Sequence, residues 1–346
     1  MAPNQNVLLI ARFFVGLSIA GVLVVICAWI MEVILPHQRI VMRGFWGWGW
    51  TRMFIPAVCY FTREWRLASF ISAGFLIPSM LMFIFLIPES PTWLHNKGLT
   101  ARMVESEMFI AKIAGIPYEP VEHKKIHSKT FTEIIKTKGL FRKLSVLWAM
   151  WFFVAVCGFA IDLNSSNLAG DVYLNQILFG ILVASSKMIL VTVDTSFPNF
   201  KRRTLHQGSQ IGVIICFVTL LAFLIMNYHG AGFLIVYLLG TVFIEYNWDA
   251  CYLCANESME TSSRTSAVGS CSFMARIGSL LAPFLAVADR WWPPAVYVTV
   301  IVIGSVNLLI SLLFLQETKN VNLDDVHVDD SENVPEEVPM MQSNVK

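Results

Sequence analysis

Residues 272–284 read SFMARIGSLLAPF, from Ser272 to Phe284, apolar or small at nearly every position and interrupted by one guanidinium, that of Arg276. Similar residues continue on either side, over about residues 265–288, long enough for the roughly 20-residue helix that crosses a bilayer. Eight further runs of this kind occur, near 7–30, 44–61, 68–88, 144–163, 173–196, 209–228, 231–256 and 294–315. The second is short and carries GFWGWGWTRMF, with Trp46, Trp48, Trp50 and Arg52. The repetition predicts an all-α polytopic membrane protein with about nine transmembrane helices.

Composition agrees. The 346 residues are 56% hydrophobic and 14% charged, against about 45–50% and about 25% in a soluble domain. A net charge of +1 gives no reason to expect a nucleic-acid partner. Seven cysteines, Cys27, Cys59, Cys157, Cys216, Cys251, Cys254 and Cys271, all lie in apolar runs. An odd number in such places reads as small packing residues rather than a disulfide framework. Cys251 and Cys254 form a lone CxxC without a second pair or a histidine cluster, so no metal site is expected. No P-loop, HExxH or Ser-His-Asp pattern is present, so neither an enzyme nor a cofactor is expected. The first apolar run, from Val7, is too long for the core of a signal peptide and lacks a cleavage site.

Lysine and arginine distribution sets the orientation. Residues 89–143 hold ten Lys or Arg against six Asp or Glu; FKRR (Phe200–Arg203) and the turn with Arg39 and Arg43 are also basic. With nine alternating spans these three loops share one side, the cytoplasm, which puts the N-terminus outside and the C-terminus inside. The stretch from Glu317 to Lys346 has eight acids against two lysines and is expected to stay unfolded. The expected divisions are 1–88, three helices; 89–143, a cytoplasmic loop with short helices; 144–316, six helices; and 317–346, an acidic cytoplasmic tail.

Charges inside spans mark function by default. Here they are Arg52, Lys187, Glu245, Asp249 and Arg276. Glu245, Trp248, Asp249 and Tyr252 are spaced i, i+3, i+4, i+7, so a helix presents them on one face, with Asn256 a turn further on. Such a face suits a wet cavity rather than lipid. Two readings of the cations stay open. Lys187 with Glu245, or Arg276 with Asp249, can be ion pairs that lock helices together; alternatively they attract a charged solute over which the rings stack.

Several motifs resemble the major facilitator superfamily, and within it the organic cation, anion and zwitterion transporters of solute carrier family 22. RFFVGLSIAG followed by MEVILPHQR resembles that family's fourth helix and its cytoplasmic end, with Glu32 and Arg39 in the expected spacing. PESPTWLHNKG (Pro88–Gly98) resembles the signature after the sixth helix, and NLAGDVYLNQ the entry to the eighth. ESMETSSRTSAVGSCSFMARIGSLLAPF resembles the junction of helices ten and eleven, with Glu257 and Arg264 in the family spacing; LQETKNVNL resembles the end of the last helix. The likeness runs from about Arg12 to Leu323 and implies a partial major facilitator fold that begins at the fourth of twelve helices. Other departures are Gln316 in place of a proline, Val156 and Cys157 where anion transporters carry tyrosines, and a C-terminal basic loop motif without its glycine.

The resemblance implies multi-pass residence in the plasma membrane and transport of small organic anions or zwitterions by alternating access. The position of Arg276 is aspartate in cation transporters and arginine in anion and zwitterion transporters, and that of Lys187 behaves similarly. Trp248 and Tyr252 match aromatic substrate contacts, and Trp48 falls near another. Glu32 with Arg39, Glu257 with Arg264, and the loop with Arg203 correspond to cytoplasmic ion pairs that break on opening. Substrate and lipid bilayer are the expected partners, and a homo-oligomer is left open. The alternatives are an organic cation transporter and a truncated isoform that is inactive or regulatory.

Overall fold

The structure is a computed structural model. It describes all residues except 1–3, 35–37, 39–40, 43–47, 121–129, 166–170, 198–199, 229, 260–262 and 318–346, and the side chains of 27, 28, 31, 32 and 48 inside helices are likewise not described. Arg39, the side chains of Glu32 and Trp48, and the tail from 318 therefore lie outside the described residues.

Among the described residues all regular structure is helical. The elements are α1 (Gln5–Val33), α2 (Trp48–Thr62), α3 (Trp65–Leu86), α4 (Pro91–Asn96), α5 (Thr100–Ala114) and α6 (Phe131–Lys136), then α7 (Lys138–Asn164), α8 (Val172–Ser196), α9 (Arg202–Ile225), α10 (Ala231–Glu257), α11 (Arg264–Trp291) and α12 (Ala295–Phe314). Eight described helices, α1, α3 and α7 to α12, are long and apolar enough to cross a membrane. Helix α2 has 15 residues, and the expected start of that segment, 44–47, is outside the described residues. Helices α7 and α9 begin about six or seven residues before the expected apolar runs. Hydropathy ends at Lys138 and Arg202, but a helix backbone continues through charged turns without penalty.

Local chemistry sets several ends. Ser90 accepts a hydrogen bond from the Trp93 amide at 3.2 Å, and Pro91 occupies the first position of α4, where its missing N–H costs nothing. Asp171 caps α8 by accepting from the amides of Tyr173 (2.8 Å) and Leu174 (3.3 Å). Thr130 and Glu133 make a reciprocal capping box at α6. Gly115 ends α5 at φ 69°, a left-handed conformation that glycine adopts without strain.

Helix α7 is the centre of the structure. Its apolar stretch is 61% buried, whereas those of α1 and α3 are 0% buried, so lipid or another helix must cover α1 and α3. One face of α7, with Leu144, Leu147, Trp151 and Ala155, packs on Cys251 and Cys254 of α10 and on Val268, Cys271 and Ala275 of α11. Further along, Ile161 joins Phe179, Phe217, Tyr237 and Val296 in a second cluster. Five of the cysteines, Cys157, Cys216, Cys251, Cys254 and Cys271, thus serve as core atoms, which matches the sequence reading. Asn164, at the end of α7, is 5% exposed and donates to the Tyr297 hydroxyl at 3.5 Å.

Helix α2 joins the rest through α8. A Cβ on Gly180 would sit 2.6 Å from the Met53 amide nitrogen, and one on Gly49 would sit 2.9 Å from that of Ala184. The pairs 49 with 184 and 53 with 180 run antiparallel, four residues apart, so both helices meet backbone to backbone. Small residues at such spacing allow this approach in a membrane, where apolar burial does not drive association.

Gly180→Ala is accordingly expected to lower stability by about 1–3 kcal/mol, as overpacking does. Gly74→Ala on α3, which faces open space, is expected to leave it unchanged. Thermal unfolding in detergent distinguishes the two; equal melting temperatures would contradict the close α2–α8 contact.

Candidate functional site

Four helices carry one line of buried charge. Arg52 on α2 forms an ion pair with Asp162 on α7, and its second terminal nitrogen lies 3.5 Å from Glu245 Oε1 on α10. Lys187 on α8 lies 3.6 Å from Glu245 Oε2 and 2.7 Å from Asp249 Oδ2. The order is Asp162, Arg52, Glu245, Lys187, Asp249. The side chains of Lys187 and Asp249 are each 2% exposed and those of Arg52 and Glu245 each 9%, while that of Asp162 is 38% exposed. Charges this deeply placed persist only when paired. The Arg52 guanidinium also lies 5.5 Å from the Phe179 ring centroid.

Beside this line is a cavity of about 410 Å³, bordered by Asp162, Lys187, Glu245, Trp248, Tyr252 and Arg276, among others. That volume fits a small organic molecule. Three rings form one wall. Trp151 meets Tyr252 at 4.3 Å and Trp248 at 5.9 Å between centroids, both edge-on. The Trp151 indole donates to the Cys251 carbonyl at 3.2 Å, which holds the ring against α10. Gly158 makes space for Trp248, since a Cβ there would lie 3.1 Å from the indole nitrogen. Gly278 lets α11 approach α7, since its Cβ would lie 2.7 Å from the Phe152 carbonyl oxygen.

Arg276 enters from α11 on the opposite side. Its side chain is exposed, borders the cavity, and has no ion-pair partner among the described residues. Of the two pairings weighed from sequence, Lys187 with Glu245 is present, while Asp249 is taken by Lys187 and not by Arg276. Lys187 is held by two carboxylates. The face expected from i, i+3, i+4, i+7 spacing divides: Glu245, Trp248 and Tyr252 border the cavity, and Asp249 points to Lys187.

At the ends of α8, α9 and α10 a second group of charges meets. Arg202 Nη1 lies 2.8 Å from Asp194 Oδ1, and its Nε lies 3.5 Å from Glu257 Oε2. Arg264 donates to the carbonyls of Asn256 (2.8 Å) and Met259 (3.3 Å). The described contact of Glu257 is thus with Arg202 rather than Arg264. The expected gating arginine, Arg203, turns outward and donates to the Leu312 carbonyl at 2.7 Å. Two contributors went unnoticed in the sequence. Asp162 lies one residue inside the end of the run expected over 144–163, where an acid does not stand out as a mid-span charge. Trp151 is one of several aromatics in the run and has no distinguishing spacing.

The family described as Sugar (and other) transporter matches residues 1–329. An uncharacterised Caenorhabditis elegans protein is 36% identical over 338 residues, 93% of this chain and 66% of its own length. Solute carrier family 22 member 6-A of Xenopus laevis is 26% identical, over 94% of this chain and 60% of its own. An organic cation transporter protein of Drosophila melanogaster is 25% identical, over 96% and 63%. The chain thus spans about two thirds or less of the length of these curated relatives. In fold it is similar to the proton:xylose symporter XylE, with a TM-score of 0.66 at 18% identity, covering 87% of this chain and 69% of that one. These matches, with eight described helices fit to span a bilayer, make this a multi-pass membrane protein of a transporter family, which is not a family of enzymes. The chain belongs to the sugar (and other) transporter family of the major facilitator superfamily, with relatives at modest identity in solute carrier family 22.

Proposed function

We propose that this chain takes part in moving small organic anions or zwitterions across a membrane, and that the cavity beside Arg276 receives the solute. The observation that carries the reading is the contrast among three cations. Arg52 and Lys187 are neutralised by carboxylates, whereas Arg276 faces the cavity with no ion-pair partner among the described residues. A guanidinium can take a carboxylate or sulfate through two parallel hydrogen bonds. Trp248 and Tyr252 supply faces for an aromatic or apolar body. Lys187 borders the cavity with its charge held by Glu245 and Asp249, and Trp48 is assigned to the same site on the resemblance alone.

Movement of solute is attributed to alternating access, with helices α1 to α3 rocking against α7 to α12. Arg52 joins the two groups in the state described. Glu257, Arg264 and Arg203, with Glu32 and Arg39, are assigned to the cytoplasmic closure, and Arg202 joins them because of its contacts with Asp194 and Glu257. The plasma membrane is the proposed location. The names of the relatives, one of them an organic cation transporter protein, support organic ions as the substrate class. One observation favours a cation instead: the line of charge holds three carboxylates and two bases, and Asp162 is part-exposed beside the cavity.

Flux in proteoliposomes containing the 346-residue chain tests the reading. Uptake of a p-aminohippurate-like anion is expected to exceed that of a tetraethylammonium-like cation. Arg276→Asp is expected to lower anion uptake about 10- to 100-fold, the equivalent of losing charge-assisted hydrogen bonds. Unchanged anion uptake in Arg276→Asp contradicts the assignment of Arg276, and absence of any solute-dependent flux favours a non-transporting role.

Lys187 has a separate outcome. Lys187→Met leaves Asp249 and Glu245 short of positive charge and is expected to cost about 3–5 kcal/mol, while adding Asp249→Leu recovers most of it. Thermal unfolding of the single and double variants measures this.

A further inference from the structure

A second cavity, of about 470 Å³, lies away from the central site, at the junction of the first turns of α7 and α9 with the end of α12. Arg142, Lys143 and Arg203 border it on the polar side, and Val146, Leu313 and Phe314 on the apolar side. None of the three cations has an ion-pair partner among the described residues. The carboxylate at its edge, Glu317, accepts from the backbone amides of Arg202 (2.9 Å) and Arg203 (3.2 Å), so its charge is directed at the start of α9. Arg142 rests its guanidinium 5.7 Å from the centroid of Phe314, and Arg203 is anchored to the Leu312 carbonyl at 2.7 Å. Two of the three cationic groups are thereby held at fixed places around the opening.

We propose that this cavity binds the phosphoryl headgroup of an anionic phospholipid. The placement favours a lipid over a soluble phosphate. The cations sit at the ends of spanning helices, on the side that the lysine and arginine distribution assigns to the cytoplasm, where anionic headgroups lie. The adjoining Leu313 and Phe314 are large apolar groups exposed at 72% and 47%, and an acyl chain running beside α12 covers them. Cations above an apolar surface match a molecule that is charged at one end and hydrocarbon at the other. The central cavity differs, with two carboxylates, Asp162 and Glu245, and two cations, Lys187 and Arg276, on its border.

The test is native mass spectrometry of the detergent-purified chain, incubated with phosphatidylglycerol or with phosphatidylcholine, each with and without inorganic phosphate. Phosphatidylglycerol is expected to be retained well above phosphatidylcholine. Arg142→Gln with Lys143→Gln is expected to reduce that preference on the order of thirtyfold, as the loss of two cations near a headgroup would give. Arg66→Gln, on α3, is expected to leave it intact. If the double variant is recovered poorly, Arg142→Gln alone is expected to give a smaller loss in the same direction. Equal retention of the two lipids by the unaltered chain overturns the proposal, as does an unchanged preference in the Arg142 and Lys143 variants. Displacement of the lipid by millimolar inorganic phosphate makes this a soluble-anion site and likewise overturns it. None of these readouts depends on solute flux through the central cavity.

Discussion

A charge cannot be left alone in a medium that does not solvate it, and this requirement organises the middle of the protein. Arg52 on a short helix finds Asp162 and Glu245; Lys187 finds Glu245 and Asp249. Glu245 is shared between both bases, and with Asp162 and Asp249 it links α2, α7, α8 and α10 in one chain of charge. Removing any member exposes the remainder to the desolvation that pairing had offset. The arrangement therefore fixes which helices are neighbours more than it adds to total stability.

Close backbone approach makes that line possible. Salt bridges from α2 can reach α7 and α10 only because Gly49 and Gly180 bring α2 against α8 without intervening side chains. The same device appears at Gly158, which seats Trp248, and at Gly278, which brings α11 with Arg276 close to α7. Position in the cavity is thus set by where side chains are missing. The aromatic wall follows, with Trp151 fixed through its indole to α10.

The helical, membrane-spanning class was legible because length and hydropathy decide it almost alone. Arg276 and the Glu245-to-Tyr252 face were also legible, since charge inside an apolar run is rare and helical spacing is regular. The partners were not. Lys187 could have met Glu245 or served a solute, and only the three-dimensional neighbours show that Glu245 and Asp249 both hold it. Asp162 sits one residue from the end of its expected run, where an acid does not stand out as a buried charge, although the helix continues to Asn164. In KRR, sequence offers no means to tell the inward arginine from the outward one. One position of helical rotation puts Arg202 beside Asp194 and Glu257 and puts Arg203 on the Leu312 carbonyl of α12.

The α2–α8 seam has a mechanical consequence. Where the backbones meet at Gly49 and Gly180, one side of each contact carries no Cβ, so nothing interdigitates at those two points. Elsewhere the seam is held by side chains, with Tyr60 of α2 edge-on to Tyr173 of α8 and Arg52 over the Phe179 ring. Any sliding of α2 along α8 therefore has to break ring contacts as well as the ion pairs of Arg52.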